Sequence, residues 1–386
     1  MQIAYNQTMI KRLLTAKLLE TAKYSPILGV VGPRQSGKTT LAKEVFSNYR
    51  YVNLEDIASR RHALEDPRGF LALYDKYVIF DEAQRVPELF SALMVKTDLD
   101  KIPGQYILTG SQHFLMLDSI TQSLAGRIIL FNLLPLSLEE LQPLNDNVVE
   151  YIWKGGYPRI YDQQINVGDW LDGYIRTYLD RDVSLLTKIS SLETFEKFIH
   201  ILAGRTGQLL NLSSLGSDVG ISHNTAKEWL NLMVTSGIIH LLPPYYANIS
   251  KRLIKAPKIY FIDTGLACRL LGIQSFDQLP THPLYGALFE TMVISEMLKQ
   301  KYNRGQKSNL YFWRDSRGLE ADVYAENSTE GKLYEIKSSQ TMPPSPFINL
   351  NKIKSTYSKP ISTHLIYGGE ESFLHQSGNV HSWKSL

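Results

Sequence analysis

Along this chain, short runs of apolar residues alternate with longer stretches in which apolar positions recur every three or four residues, and the two periods assign strands and helices. Ile27-Leu28-Gly29-Val30-Val31 reads as a buried strand stopped by Gly32-Pro33, and further strands are expected at residues 51–54, 76–80, 105–109 and 127–130. Between them, Leu89, Phe90, Leu93 and Met94 sit at helical spacing, and Ile10, Leu13, Leu14, Leu18 and Ala22 mark an amphipathic helix over residues 9–23. Wholly apolar strands separated by helices predict a parallel sheet covered on both faces, an α/β core over residues 1–134.

The pattern changes after Pro135. Residues 135–190 read as a mainly helical lid or linker, opened by Ser137-Leu138-Glu139-Glu140, which has the spacing of a capping box. Residues 191–250 contain helices and then an apolar pair of strands ending at Pro243-Pro244. Residues 251–386 read as strand, helix and strands again, with Pro343, Pro344 and Pro346 marking a surface connection before a last helix and strand.

Composition removes several classes of protein. Of the 386 residues, 44% are hydrophobic and 20% charged, a balance that supports globular cores rather than disorder. No apolar run approaches the roughly 20 residues that cross a bilayer, and the N-terminus lacks a signal-peptide core. The single Cys268 excludes a disulfide framework and a cysteine-rich metal site. A soluble, cytoplasmic protein without a membrane partner is expected. With 41 basic and 38 acidic residues the net charge is +3, so only local clustering can make a nucleic-acid surface.

The strongest chemical signal is Gly32-Pro33-Arg34-Gln35-Ser36-Gly37-Lys38-Thr39, which fits the phosphate-binding pattern G-x-x-x-x-G-K-[ST] without mismatch. A strand precedes it and Thr40 continues into a helix, the context the pattern requires. The two glycines allow backbone N–H groups to point inward at phosphate oxygens, Lys38 reaches the terminal phosphates, and the Thr39 hydroxyl completes a Mg²⁺ shell. Val78-Ile79-Phe80-Asp81-Glu82 supplies the second half: Asp81 for the metal, Glu82 to activate the attacking water. Thr109 or Ser111, at the end of the next strand, is placed to sense the γ-phosphate or simply to end the strand in a turn. Arg127 is a candidate for stabilising transition-state charge in its own site or a neighbour's, or for a structural salt bridge; Arg85 and Arg34 are further cations of the same kind.

These segments, together with Leu124-Ala125-Gly126-Arg127, Gly155-Gly156-Tyr157-Pro158, Tyr178-Leu179-Asp180-Arg181-Asp182-Val183 and Phe261-Ile262-Asp263-Thr264-Gly265-Leu266, resemble the prokaryotic AAA-type ATPases that carry a DUF4143 C-terminal region. The resemblance runs over residues 9–340. It implies an AAA+-type P-loop core, then a winged helix and a restriction-endonuclease-like domain. ATP rather than GTP and a homo-oligomeric state are likewise implied by it.

Two later constellations carry possible nucleic-acid chemistry. Residues 209–230 read as helix, glycine turn and second helix, with Ser222 capping the second and the run 238–242 as a wing. In a winged helix, Asn224, Thr225 and Lys227 would face double-stranded DNA; in a packing module they would not. Lys251, Arg252, Lys255 and Lys258 either grip phosphates or form a solvated face, and Tyr245 and Tyr246 either stack bases or pack a hairpin. Further on, Asp322 and Glu335-Ile336-Lys337, with Glu290 on a preceding helix, resemble the core of PD-(D/E)xK nucleases, although Ala321 stands where that pattern usually has proline. In that reading Asp322, Glu335 and Glu290 hold Mg²⁺ and Lys337 orients water; otherwise they are an inactive remnant or a surface pair. The sequence therefore points first to a Mg²⁺-dependent ATPase acting on DNA. An ATP-gated nuclease and a nucleotide-dependent protein scaffold are the alternatives.

Overall fold

The computed structural model of the chain describes residues 10–111, 124–142, 146–163, 165–178, 191–245, 256–326 and 329–386. After a helix at Leu14–Thr21 (α1), the N-terminal part alternates strand and helix as the apolar pattern predicts: β1 Ile27–Gly32, α2 Lys38–Val45, β2 Arg50–Asn53, α3 Ile57–Glu65, α4 Pro67–Leu73, β3 Val78–Asp81, α5 Glu88–Asp100, β4 Tyr106–Ser111 and β5 Ile128–Asn132. All neighbouring strands are parallel, in the order β2-β3-β4-β1-β5. Every residue of β1 and β3 is buried. Side chains alternate across the sheet, so one face packs Ile27, Val31, Phe80 and Leu108 against Phe90 and Leu93, and the other packs Leu28, Val30 and Ile107 against Leu14, Leu18 and Leu41. In this order β1 has β4 on one side and β5 on the other, which opens a crevice at its carboxyl end, the place where parallel sheets bind ligands.

The chain then leaves the sheet through α6 Leu138–Leu141, whose capping box is formed by Ser137 and Glu140 as the sequence predicts. Helices α7 Val148–Lys154, α8 Pro158–Asp162, α9 Val167–Tyr178 and α10 Leu192–Ala203 follow. Next come α11 Leu212–Val219 and α12 His223–Thr235, separated by Gly220 in a left-handed conformation and capped by Asn211 and Ser222 through their side chains. The strand β6 Ile239–Leu242 pairs antiparallel with β7 Lys258–Phe261. The expected pair of strands before Pro243 is thus one strand, whose partner lies beyond the prolines.

After α13 Thr264–Leu270 the long helix α14 Tyr285–Asn303 leads to a mixed sheet made of β8 Leu310–Arg314, β9 Glu320–Glu326, β10 Gly331–Lys337, β11 Ile361–Tyr367, β12 Phe373–His375 and β13 Gly378–Ser382, with α15 Ile348–Lys354 between β10 and β11. The strand order is β12-β13-β11-β10-β9-β8. One continuous apolar core runs from Leu134 through α10, α12 and α14 to Trp383, so the helical segment and the second sheet share an interior. Among the described residues no helix is long and apolar enough to cross a membrane.

Two buried polar joints tie α13 and α14 to the segment that follows the first sheet. Glu296, on α14, accepts the Leu138 N–H at 2.8 Å and the Tyr151 hydroxyl at 2.5 Å, while Lys299 donates to the Leu136 carbonyl at 3.0 Å. Asp263, just before α13, accepts the Gly156 N–H at 2.7 Å; burial pushes its carboxyl above the usual range. Both joints close on the segment that leads into α8.

Candidate functional site

Between β1 and α2 the chain makes the curved loop that its glycines predict. A Cβ on Gly32 would stand 2.1 Å from the Leu133 carbonyl oxygen, so this residue has no room for a side chain. Gln35 and Gly37 adopt φ of 59° and 94°, the left-handed turns that rotate successive N–H groups to one side and leave a concave row of donors. Arg12, buried ahead of α1, braces the loop from behind. Its Nη1 donates to the Ser36 carbonyl at 2.7 Å, its Nη2 to the Leu134 carbonyl at 2.7 Å, and its Nε to Glu140 at 3.0 Å.

Lys38 opens α2 with its side chain along the loop, and its Nζ donates to the carbonyls of Gly32 at 3.2 Å and Pro33 at 2.8 Å. Burial pulls the Lys38 pKa down to about 8, against the opposing pull of Glu82 and Asp81. Asp81, at the end of β3, collects three hydroxyls from three elements: Thr39 on α2 at 3.0 Å, Tyr51 on β2 at 2.7 Å and Thr109 on β4. Burial and the Asp81 carboxylate together raise the Tyr51 pKa. Glu82 follows with φ 55° and ψ 42°, an uncommon conformation for a non-glycine residue and one that clusters at functional sites. Its carboxylate accepts from Gln84 Nε2 at 2.5 Å, and the same amide reaches Ser111 at 3.2 Å.

A cavity of about 660 Å³ lies over the loop, lined by Lys38, Thr39 and Glu82 together with Pro158, Arg159 and Tyr174. Arg34, Gln35, Gly37 and Thr40 line it too. The Thr39 hydroxyl on its wall and the Asp81 carboxylate bonded to it form an all-oxygen donor pair, the kind a hard divalent cation such as Mg²⁺ takes. Residues 32–40, Asp81, Glu82 and Thr109 therefore come together around one crevice. Arg127 does not join them. It lies at the amino end of the sheet, where its carbonyl accepts from Ile27, about 17 Å of strand from Gly32. There its guanidinium pairs with Asp98 at 2.6 and 2.8 Å, so it does not serve its own chain's loop. Arg85 likewise pairs with Glu55 at 3.4 Å.

Glu290, Asp322, Glu335 and Lys337 also converge, for a reason visible in the register. Tyr334 pairs with Val323, so the next pair along the antiparallel ladder sets Glu335 opposite Asp322. Lys337 lies 2.6 Å from Glu335, and Asp322 accepts the Ile336 N–H at 2.7 Å. Burial and Glu290 push the Asp322 carboxyl up, and burial and Asp322 do the same to Glu335. The basic residue Lys258 is not on a solvated face: it is buried in β7, with Nζ 2.6 Å from Glu320 and 3.3 Å from Glu290. Among the described residues no group of three or more histidine, cysteine, aspartate or glutamate side chains is arranged to hold a metal ion. The expected Mg²⁺ shell of Glu290, Asp322 and Glu335 is thus not what these residues form.

On α12, Asn224 and Lys227 are exposed beside the equally exposed Glu228, while Thr225 is half-buried and bonds Ser222 at 2.8 Å. Tyr245 packs on Tyr324 with ring centroids 4.1 Å apart and donates to Glu326, which settles it as a packing residue. Lys251, Arg252, Lys255, Tyr246 and the segment 179–183 lie outside the described residues.

Sequence reasoning missed Arg12, Tyr51, Arg159 and Glu320. Arg12, Tyr51 and Arg159 reach the crevice from parts of the chain that no spacing links to its motif, whereas Glu320 stands two residues before Asp322 on β9 and shares its face. Lys258 carried a weak signal, a lysine leading directly into the apolar run Ile259-Tyr260-Phe261.

Residues 24–142 match an AAA domain, residues 145–277 the domain of unknown function DUF8612, and residues 285–386 the domain of unknown function DUF4143. Over 337 residues the chain is 31% identical to the uncharacterized protein Rv2008c of Mycobacterium tuberculosis, covering 86% of this chain and 74% of that protein. An uncharacterized protein of Haemophilus influenzae is 22% identical over 71% of this chain and 74% of its own length. Among solved structures, the Walker-type ATPase PABY2304 of Pyrococcus abyssi superposes with a TM-score of 0.46 at 16% identity, covering 69% of this chain and 97% of that one. AMPPCP-bound DnaA from Aquifex aeolicus gives 0.30 at 15% identity, over 57% of this chain and 86% of that one. With its loop, its acidic strand end and its second sheet in place, the chain belongs to the prokaryotic AAA-type P-loop ATPases that carry a C-terminal DUF4143 region.

Proposed function

We propose that the chain binds ATP in the crevice above residues 32–40 and hydrolyses it, and that it acts on DNA through its C-terminal part. The observation that carries the nucleotide reading is the meeting of the left-handed loop, Lys38 and Glu82 on the walls of one 660 Å³ cavity, with Asp81 bonded to Thr39 beside it. The row of loop N–H groups binds the phosphate tail, and the positive end of α2 adds to it. Lys38 exchanges its two carbonyl partners for phosphate oxygens, whose negative charge raises again the pKa that burial lowers.

Thr39 and Asp81 would hold Mg²⁺, which neutralises charge on the phosphates when bound. The Tyr51 and Thr109 hydroxyls fix the rotamer of Asp81. Glu82 accepts the proton of the attacking water at its carboxylate, and Gln84 holds that carboxylate in place. Arg159, which lines the same cavity as Lys38 and Arg34, supplies a further cation on the same chain, while Arg127 is left to serve a neighbour's site in a homo-oligomer.

For DNA, the support is the helix pair α11–α12 followed by β6, a winged-helix arrangement whose second helix exposes Asn224 and Lys227. The carboxylate cluster favours a non-cleaving role. Phosphate release measured with and without duplex DNA tests the whole reading: hydrolysis stimulated by DNA, and lost in Glu82→Gln, is expected. Hydrolysis indifferent to every DNA, with ATP driving assembly instead, points to the scaffold; Mg²⁺-dependent cleavage points to the nuclease.

A further inference from the structure

The resemblance implies a divalent cation among Glu290, Asp322 and Glu335, and the side chains around them are built otherwise. We propose that the ammonium group of Lys258 is a built-in cation that occupies the position of a divalent metal in this cluster, so that the domain keeps a nuclease-like set of acids without binding Mg²⁺ there. This goes beyond the nucleotide reading and stands or falls independently of it.

Three observations carry it. First, Lys258 is 6% exposed, and its Nζ sits between Glu320 at 2.6 Å and Glu290 at 3.3 Å. A charge so buried persists only when paired, and here the acids pair it. Second, the acids are already engaged. The Tyr260 hydroxyl donates to the Glu290 oxygen nearest Lys258 at 2.5 Å, Ile336 N–H takes one Asp322 oxygen at 2.7 Å, and Lys337 takes Glu335 at 2.6 Å. Third, the charges nearly cancel. Glu290, Glu320, Asp322 and Glu335 face Lys258, Lys337 and Arg314, the last 3.3 Å from Glu320. A dication added to this set would turn its net −1 into +1, and the space between Glu290 and Glu320 is already held by the Lys258 ammonium. Consistently, Glu290, Asp322 and Glu320 raise the pKa of Lys258 despite the opposing effect of burial.

The arrangement has a structural consequence. Lys258 begins β7, whose partner β6 follows α12, and it is bridged to Leu209 just ahead of α11. A cation supplied by β7 therefore pins the helix pair to the second sheet without depending on metal supply. A diffusible ion would make the same joint conditional.

The test counts Mn²⁺ bound to the nucleotide-free full-length protein, by water-proton relaxation, for wild type, Asp322→Asn, Glu335→Gln, Lys258→Ala and the double variant Lys258→Ala/Asp322→Asn. Wild type, Asp322→Asn and Glu335→Gln are expected to bind the same number of ions. Lys258→Ala is expected to gain one, and the double variant to lose it again. If Lys258→Ala fails to fold, the comparison of wild type with Asp322→Asn and Glu335→Gln decides alone. A wild-type Mn²⁺ ion lost in Asp322→Asn or Glu335→Gln overturns the proposal, as does a folded Lys258→Ala that gains none.

Discussion

At the end of β1, acids and a lysine border an open crevice, whereas in the C-terminal sheet the same residue types close on one another. Glu82 shares a cavity wall with Lys38, whose ammonium is held by the Gly32 and Pro33 carbonyls rather than by either acid, while Asp81 takes the hydroxyls of Thr39, Tyr51 and Thr109. Asp322 and Glu335 are met instead by the flexible ammonium groups of Lys258 and Lys337. The difference teaches that a list of acidic and basic residues at suggestive spacing does not make a site. What decides is whether the opposing cation reaches the acids and fills the space between them, or is held by other partners and leaves it open.

The sharpest way to break the comparison is to remove one acid from each region. Glu82→Gln is expected to cut the phosphate-release rate by about 10²–10⁴-fold while leaving ATP affinity within a few-fold. Asp322→Asn is expected to leave that rate within about twofold in the absence of DNA. Equal losses in the two variants would erase the distinction.

The next effect concerns the brace behind the loop. Arg12 and Glu140 have side chains 6% and 0% exposed, so Arg12→Met strands a buried carboxylate and is expected to cost about 3–5 kcal/mol in urea unfolding. The double variant Arg12→Met/Glu140→Gln should recover a large part of that, and a single variant as stable as wild type would deny Arg12 its bracing role. Smaller again is a pH effect. The folded-state pKa of Lys38 lies near 8 and its ordinary value is 10.5, so the unfolded chain binds the extra proton between these limits and stability rises with pH across them. The nucleotide-free protein should gain roughly 3 kcal/mol at most over that window relative to Lys38→Met, measured by denaturant titration at each pH. Smallest, Tyr51→Phe removes one of three hydroxyls on Asp81 and should cost about 1 kcal/mol.

Much of this molecule was legible before any coordinates. The inner strands β1, β3 and β4 could be read because parallel strands covered on both faces are apolar almost throughout, and the loop could be read because its glycines answer a steric demand at a fixed spacing. The capping box at Ser137 and the cap at Ser222 are local, and they formed where they were expected. What escaped depends on contacts distant in sequence. Arg12 reaches Glu140 across 128 positions and Tyr51 reaches Asp81 across 30, and neither has a periodic trace. Arg127 was drawn to the site by its neighbourhood in sequence, but parallel strands enter at one edge of the sheet and leave at the other, and it sits at the entry. Lys258 looked like part of a basic surface until β7 turned its side chain inward.

The most direct test of the account is calorimetric titration of the full-length protein with ATP in the presence of Mg²⁺, for wild type and Lys38→Ala. One ATP per chain bound by wild type, and binding at least tenfold weaker in Lys38→Ala, is the expected result. No heat from wild type, or the same affinity in both proteins, would contradict the assignment of the β1–α2 crevice as the nucleotide site.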